Sequence, residues 1–526
     1  MKRAALSVIL LASLVYGPGD FGASAQTAAA DGRVVLQALP GGGTGLKAIM
    51  EKWKADELQR QGGKFPSHGW WPWGLVAFDY DNDGDIDLVA QQHGAPQTIV
   101  IKNQLRETGK LTFLNANAEL GLPTNGLAGC FTPLAWDFDG DGFVDLAYCD
   151  ALPNTCFFNL GGRKFEPMGF AFGQLAGVSS PVDLNGDGYL DVTSVNDGKQ
   201  YLYDPAVRKF TSRPWEDALH ASPPEAVKTA VDEIKPKIVP RYLHFHEHVN
   251  LTGKGANDLV CGYFGAYGGP IFGRYLVADK DGKLRDATDQ LGLPKTGTPI
   301  LMHDVNGDGA DDVLIVGAGL YLSDGKGHFA LKPGPLTEFV KDRREYVHEA
   351  YLVDLANAGR YDLVVHNGRG STARIFENLG GGAFRLVAQA GTWTDAVAVC
   401  DINDDGLMDV CVGGPGDDIA IYLNQTPNAG NSCKLHPGME KPNPYAVGAL
   451  VEIYKAGELG KEGAKPRLSE TAHPDATPVH VGLGDAKTFD LRVTFPGKEP
   501  KVVELKAVEA KRKLRITPNG EAEEIR

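Results

Sequence analysis

The sequence predicts an all-β fold: a seven-bladed β-propeller with calcium-binding loops, followed by a small C-terminal β-rich domain. Three observations predict it. An aspartate-rich stretch recurs along the chain, each copy runs into short β-patterned segments with glycine-rich turns, and the copies are spaced as propeller blades are.

The copies read "DYDNDGDIDL" at 79, "DFDGDGFVDL" at 137, "DLNGDGYLDV" at 183, "DVNGDGADDV" at 304 and "DINDDGLMDV" at 401. Two degenerate copies, "NLTGKGAND" at 250 and "DLANAGRYD" at 354, fill the gaps, so that successive starts lie 46 to 67 residues apart. In β-patterned sequence such a period marks four-stranded propeller blades, and seven units over residues 26–427 mean seven blades. The fifth unit shows the internal order: "PILMHD" is a first strand, "VNGDGAD" the acidic loop, "DVLIVGAG" a second strand, then "LYLSDGKG" and "HFALKPG". "NLGGRKF", "SDGKGHF" and "NLGGGAF" are hairpin signals at equivalent places. The seventh unit ends near "DIAIYLNQT" with three strands, while "VVLQAL" at 34–39 precedes the first loop. Residues 33–39 are therefore expected to supply the missing strand and close the ring, which removes a free sheet edge.

Residues 1–25 read as a signal peptide: Lys2 and Arg3, an apolar stretch over 4–16, and Ala23-Ser24-Ala25 as a cleavage site. The expectation is a secreted or periplasmic protein. No later run reaches ~18 apolar residues, so no membrane insertion is expected after cleavage. A net charge of −15 argues against nucleic acid as a partner. The stretch 205–240, with "PPEAVKTAVDEIKPKIVP", is expected to be a long connection carrying a short helix. Of the seven cysteines, Cys149 with Cys156 and Cys400 with Cys411 are placed either to bridge neighbouring strands or to be buried thiols.

Clustered carboxylates repel one another and call for a counter-charge. Each loop carries oxygen ligands at positions 1, 3, 5 and 9 with glycine at 6, a pattern that curls the backbone round a hard cation. The sets are Asp79, Asp81, Asp83, Asp87; Asp137, Asp139, Asp141, Asp145; Asp183, Asn185, Asp187, Asp191; Asp304, Asn306, Asp308, Asp312; and Asp401, Asn403, Asp405, Asp409. About five Ca2+ ions are expected. An EF-hand would need a glutamate at position 12 between helices, where this chain has Ala90, Tyr148, Ser194, Ile315 and Val412. The loop at 250 has Lys254 where a ligand would stand and the loop at 354 has Ala356 and Ala358, so no calcium is expected at either.

The acidic loop followed by "DLVV"-like strands resembles the FG-GAP/VCBS repeats of integrin-α-type propellers. "NPYAVGALVEIYKAG … HVGLGDAKTFDLRVTFPGK", within 428–526, resembles the ASPIC/UnbV domain of cartilage-acidic-protein-like proteins, departing from it at Leu450 and Phe495. The resemblance implies calcium-stabilised protein interaction or adhesion outside the cytoplasm.

If the strand before each loop lines the central channel, residues six to eight positions upstream ring the mouth opposite the loops. Trp71, Trp73, His244, His246, His348, Trp393 and Asp395 are then candidate ligand-binding residues. "HFHEH" at 244–248 places three histidines on one face of a strand, as zinc or copper ligands or as hydrogen-bonded channel lining. The tryptophans are either blade packing or sugar platforms. No Walker loop, G-x-S-x-G, H-E-x-x-H or dinucleotide fingerprint occurs. Three functions stay open: a protein- or glycan-binding or adhesion module; an enzyme using His244, His348 and Asp395 on a glycan or small organic substrate; and a scaffold subunit of an envelope complex.

Overall fold

The computed structural model describes residues 34–39, 44–65, 72–92, 98–123, 133–147, 156–170, 172, 181–194, 199–214, 243–249, 251–252, 258–264, 271–278, 284–295, 298–341, 347–367, 372–391, 394, 396–414, 417–497 and 499–525. Seven antiparallel four-stranded sheets follow one another as propeller blades, and two more sheets form the C-terminal domain. In the first blade the strands are Pro72–Phe78, Asp87–Gln92, Thr98–Asn103 and Phe113–Asn115, each paired with the next. Middle strands are buried on both faces, as in Asp409–Gly414, which explains why they read as continuous apolar runs. The last blade takes its fourth strand from the other end of the propeller: Leu36–Ala38 pairs antiparallel with Asp417–Asn424, Leu36 opposite Asn424.

Apolar cores lie between blades. One joins Phe78 and Val89 to Leu146 and Phe157 of the second blade, and another joins Leu75 and Leu88 to Ala398 and Cys411 of the seventh. The second also receives Leu46, Met50 and Trp53 from a helix, Leu46–Arg60, that the strand-centred sequence reading did not expect. Its run of helix-favouring residues, without glycine or proline from Leu46 to Arg60, was a readable signal. Residues 205–208 are a hairpin turn and Lys209–Pro214 the fourth strand of the third blade, which corrects the long connection expected there. The expected helix falls on residues 215–242, outside the described residues. Cys400 and Cys411 are buried free thiols, not a disulfide; a hydrogen bond between them, with burial, pushes the Cys400 thiol up.

A repeated polar joint fastens the blades. The aspartate at loop position 9 is buried in every unit described: Asp87, Asp145, Asp191, Asp258, Asp312, Asp362 and Asp409. It accepts the backbone N–H at the end of the third strand, from Asn159 at 2.7 Å, Ser323 at 2.8 Å and Asn424 at 2.7 Å. In four blades that residue is an asparagine, whose Nδ2 reaches the preceding blade's loop. Asn103 donates to Ile402 O, Asn159 to Tyr80 O, Asn378 to Val305 O and Asn424 to Leu355 O. The bond from Asn103 to Ile402 ties the first blade to the last.

The C-terminal domain is built on two sheets sharing one core. Asn431–Pro437 lies between Val479–Gly484 and Lys513–Ile516, and Leu450–Lys455 lies between Leu468–Thr471 and Thr488–Phe495. Phe495, where the sequence departs from the family pattern, is buried in that core. The domain covers the face of the propeller that bears the acidic loops. Tyr445 OH donates to Gly142 O at 2.7 Å, Asp79 N donates to Asp475 O at 3.3 Å, and Nε2 of His480 is 2.7 Å from Asn357 Oδ1. Lys465 bonds Asp308 O, and Ser432 Oγ donates to Gly406 O at 3.1 Å. A Cβ on Gly140 would stand 2.4 Å from Pro442 O, so only glycine lets the two domains approach this closely.

Asn159→Ala leaves Tyr80 O and Val144 O without their donor. Chemical denaturation should show a loss of about 2–3 kcal/mol, against less than about 0.5 kcal/mol for an exposed control such as Lys110→Ala.

Candidate metal centre

Position 6 glycine is set by geometry. Gly84, Gly142, Gly188, Gly309 and Gly406 have φ of 89°, 95°, 93°, 90° and 87°, a region side chains avoid. The position 1 aspartate then caps the turn: Asp137 accepts the N–H groups of Asp141 and Gly142, and Asp304 those of Gly307, Asp308 and Gly309. The position 5 carboxylate accepts the N–H at position 7, as from Phe143 to Asp141, Tyr189 to Asp187, Ala310 to Asp308 and Leu407 to Asp405.

The loops separate into two kinds. In the loops at 79 and 137, positions 1, 3 and 9 converge: Asp79, Asp81 and Asp87, and likewise Asp137, Asp139 and Asp145, each bring one oxygen within 4.8 Å of the others. Asp83 groups instead with Asp85 and Glu107. In the loops at 183, 304 and 401, position 3 is asparagine and its amide turns to a carboxylate of the loop: Asn185 to Asp187, Asn306 to Asp312 and Asn403 to Asp405. Asp183 caps Gly186, Asp187 and Gly188, Asp191 accepts from Leu184 and Tyr203, and Asp401 and Asp409 repeat these roles in the last loop. The loop at 354, without ligands at 3 and 5, keeps Asp354 as the same cap.

The first loop is the most demanding. Asp79 Oδ1, Asp81 Oδ1 and Asp87 Oδ2 are buried oxygens that accept no hydrogen bond among the described residues. Burial, with the charges of Asp83 and Asp81, pushes Asp79 up to about 7. Burial likewise pushes Asp137 up to about 7 and Asp312 and Asp409 up to about 8, and holds Asp87 and Asp145 well above the usual carboxylate range. Three inward, undonated carboxylate oxygens and no soft ligand fit a hard cation.

The sequence reading missed the cations that the protein itself brings. Lys102 Nζ lies 2.6 Å from Asp81 and 2.8 Å from Glu107; Arg208 is 2.8 Å from Asp139; Lys434, from the C-terminal domain, is 2.6 Å from Asp401 and 2.5 Å from Asp404. Nothing in their spacing along the chain marks them.

Of the channel-mouth candidates, Trp71, Trp393 and Asp395 lie outside the described residues. Trp73, His244, His246 and His348 lie on first strands, where the backbone alone is described. Three of them share one feature: the pairing register breaks between Pro72 and Gly74, between Leu243 and Phe245, and between Val347 and Glu349. Trp73, His244 and His348 are thus bulge residues at the strand end away from the loops.

A family model described as the FG-GAP-like repeat matches residues 137–194 and 354–412. The chain carries FG-GAP-like repeats. Comparison with curated proteins gives no match. Among solved structures, a lectin of Agrocybe aegerita, described as recognising non-reducing terminal N-acetylglucosamine, is 17% identical with a TM-score of 0.39, over 70% of this chain and 87% of its own. The extracellular domain of a hybrid two-component system from B. thetaiotaomicron is 10% identical with a TM-score of 0.38, over 90% of this chain and 59% of its own. The Dos1 propeller is 12% identical with a TM-score of 0.31, over 67% of this chain and 92% of its own. At these scores the likenesses say nothing of ligand or activity. No helix among the described residues is long and apolar enough to cross a membrane.

In a cation-free chain the raised carboxyls favour the fold while protonated. That contribution is complete below about pH 4, the unfolded carboxylate value, and is lost as pH rises through about 7 to 8. Melting in EDTA should therefore occur at a lower temperature at pH 8.5 than at pH 5.5, and calcium should raise it more at pH 8.5.

Asp145→Asn should destabilise the chain by about 1–3 kcal/mol even in EDTA, because an amide cannot accept both the Phe138 and Asn159 N–H groups. Denaturation in chelator measures it.

Proposed function

We propose that the chain is an exported, calcium-stabilised propeller that acts as a binding module, taking a protein or glycan ligand at the channel mouth opposite the acidic loops. The observation that carries the calcium part is the trio of buried, undonated oxygens on Asp79, Asp81 and Asp87. An ion there supplies the charge that lets these side chains stay ionised inside the protein. Asp79, Asp81 and Asp87 would hold it in the first loop, and Asp137, Asp139 and Asp145 in the second. The same ligand pattern extends to the loops at 183, 304 and 401, for about five ions.

The ligand part rests on the recurrent bulges at Trp73, His244 and His348. Bulges re-aim side chains and concentrate beside functional sites. The C-terminal domain, read as ASPIC/UnbV-like, packs on the loop face, away from the bulged strand ends. The N-terminal signal supports export to a periplasm or beyond the cell.

A glycan array and a panel of extracellular proteins, probed with the calcium-loaded chain, test this reading. Trp73→Ala and His348→Ala should each weaken binding at least tenfold while the melting temperature stays within a few degrees. Binding untouched by both substitutions would remove the channel mouth as the site.

A further inference from the structure

The last acidic loop differs from the first in what already satisfies it. Every carboxylate oxygen of its aspartate ligands has a donor. Asp401 Oδ1 accepts Asp405 N at 3.0 Å, and Oδ2 accepts Gly406 N at 2.7 Å. Asp409 accepts Ile402 N and Asn424 N; Asp405 accepts Leu407 N and the amide of Asn403. The ammonium of Lys434 adds to this, 2.6 Å from Asp401 Oδ2, with Lys434 only 12% and Asp401 4% exposed. Asp404 of the same loop, besides its 2.5 Å pair with Lys434, lies 3.0 Å from Arg106 and 3.5 Å from Lys513. The first loop, even with Lys102 beside it, keeps three oxygens with no donor.

Lys434 is held in place. Its strand has neighbours on both sides, His480 on one and Lys513 on the other. The same junction is pinned by Ser432 Oγ to Gly406 O, Gly430 N to Ala356 O and the His480–Asn357 pair. A divalent ion at Asp401 would have to expel this ammonium and sit close to two further cations, where like charges repel strongly at low dielectric.

Resting on the calcium reading above, we propose that Lys434 closes the loop at 401 in place of a divalent ion, so that docking of the C-terminal domain and calcium binding at this loop exclude each other. The docked chain then carries one ion fewer than its acidic loops suggest. Because the linkage is reciprocal, calcium high enough to enter this loop loosens the domain from it.

Calcium counting by elemental analysis on the full chain, equilibrated in calcium and freed of unbound ion, tests this. D405N in the native background should leave the count unchanged, whereas D81N should lower it by one. K434Q should gain one ion, which D405N in the same chain removes again, and K434R should keep the native count. If D405N alone lowers the native count, or if K434Q binds no additional ion, the proposal is overturned. Should K434Q fail to fold, the D405N arm decides by itself. The D81N arm reports separately whether the first loop takes calcium at all, so failure of the wider reading is distinguishable from failure of this one.

Discussion

The structure depends on a buried carboxylate at the ninth position of each loop. Placed where the first strand's loop meets the second strand, Asp145, Asp191, Asp312, Asp362 and Asp409 each take up one N–H from the loop and one from the end of the third strand, and Asp87 takes up the latter alone. The carboxylate thereby joins three strands of a blade at one point. The asparagine it orients reaches on to the neighbouring loop. Asp258 and Asp362 hold this place in units that lack carboxylates at positions 3 and 5, and there too they accept backbone N–H groups. Position 9 is thus architectural before it is a metal ligand, whereas position 3 is free to vary with the demand for charge.

That demand is met in three different ways around one ring. The first two loops gather three carboxylates, and the first leaves three buried oxygens that accept no hydrogen bond among the described residues. The loops at 183 and 304 replace one carboxylate by an asparagine that donates within the loop. The loop at 401 does the same and receives Lys434 from the domain above it. Burying like charges is tolerable only where each is hydrogen-bonded or paired, and the variety of local solutions follows from that single constraint.

The covering of the loop face also makes the two faces of the propeller unlike. One face is packed against the C-terminal domain through backbone carbonyls, a tyrosine hydroxyl and basic side chains. The other keeps the bulged beginnings of the first strands, on which Trp73, His244 and His348 lie. Their common offset from the loops marks these positions as alike in the sequence; the bulge, which changes which face a residue takes, is visible only in the pairing register.

The sequence by itself determined the blade count, the loop geometry and the places of the aspartates in each loop, because each is a local pattern repeated often enough to be read without neighbours: aspartates at fixed offsets, glycine where φ must be positive, apolar runs for buried strands. Helix Leu46–Arg60 was also within reach, through its run of helix-favouring residues. Only the tertiary structure decided which loops bring carboxylates together, which receive a lysine, and where the C-terminal domain sits. Those outcomes rest on groups far apart in the chain, Lys434 on Asp401 or Tyr445 on Gly142. Electrostatic satisfaction of a buried charge depends on distance in space, which no spacing along the sequence records.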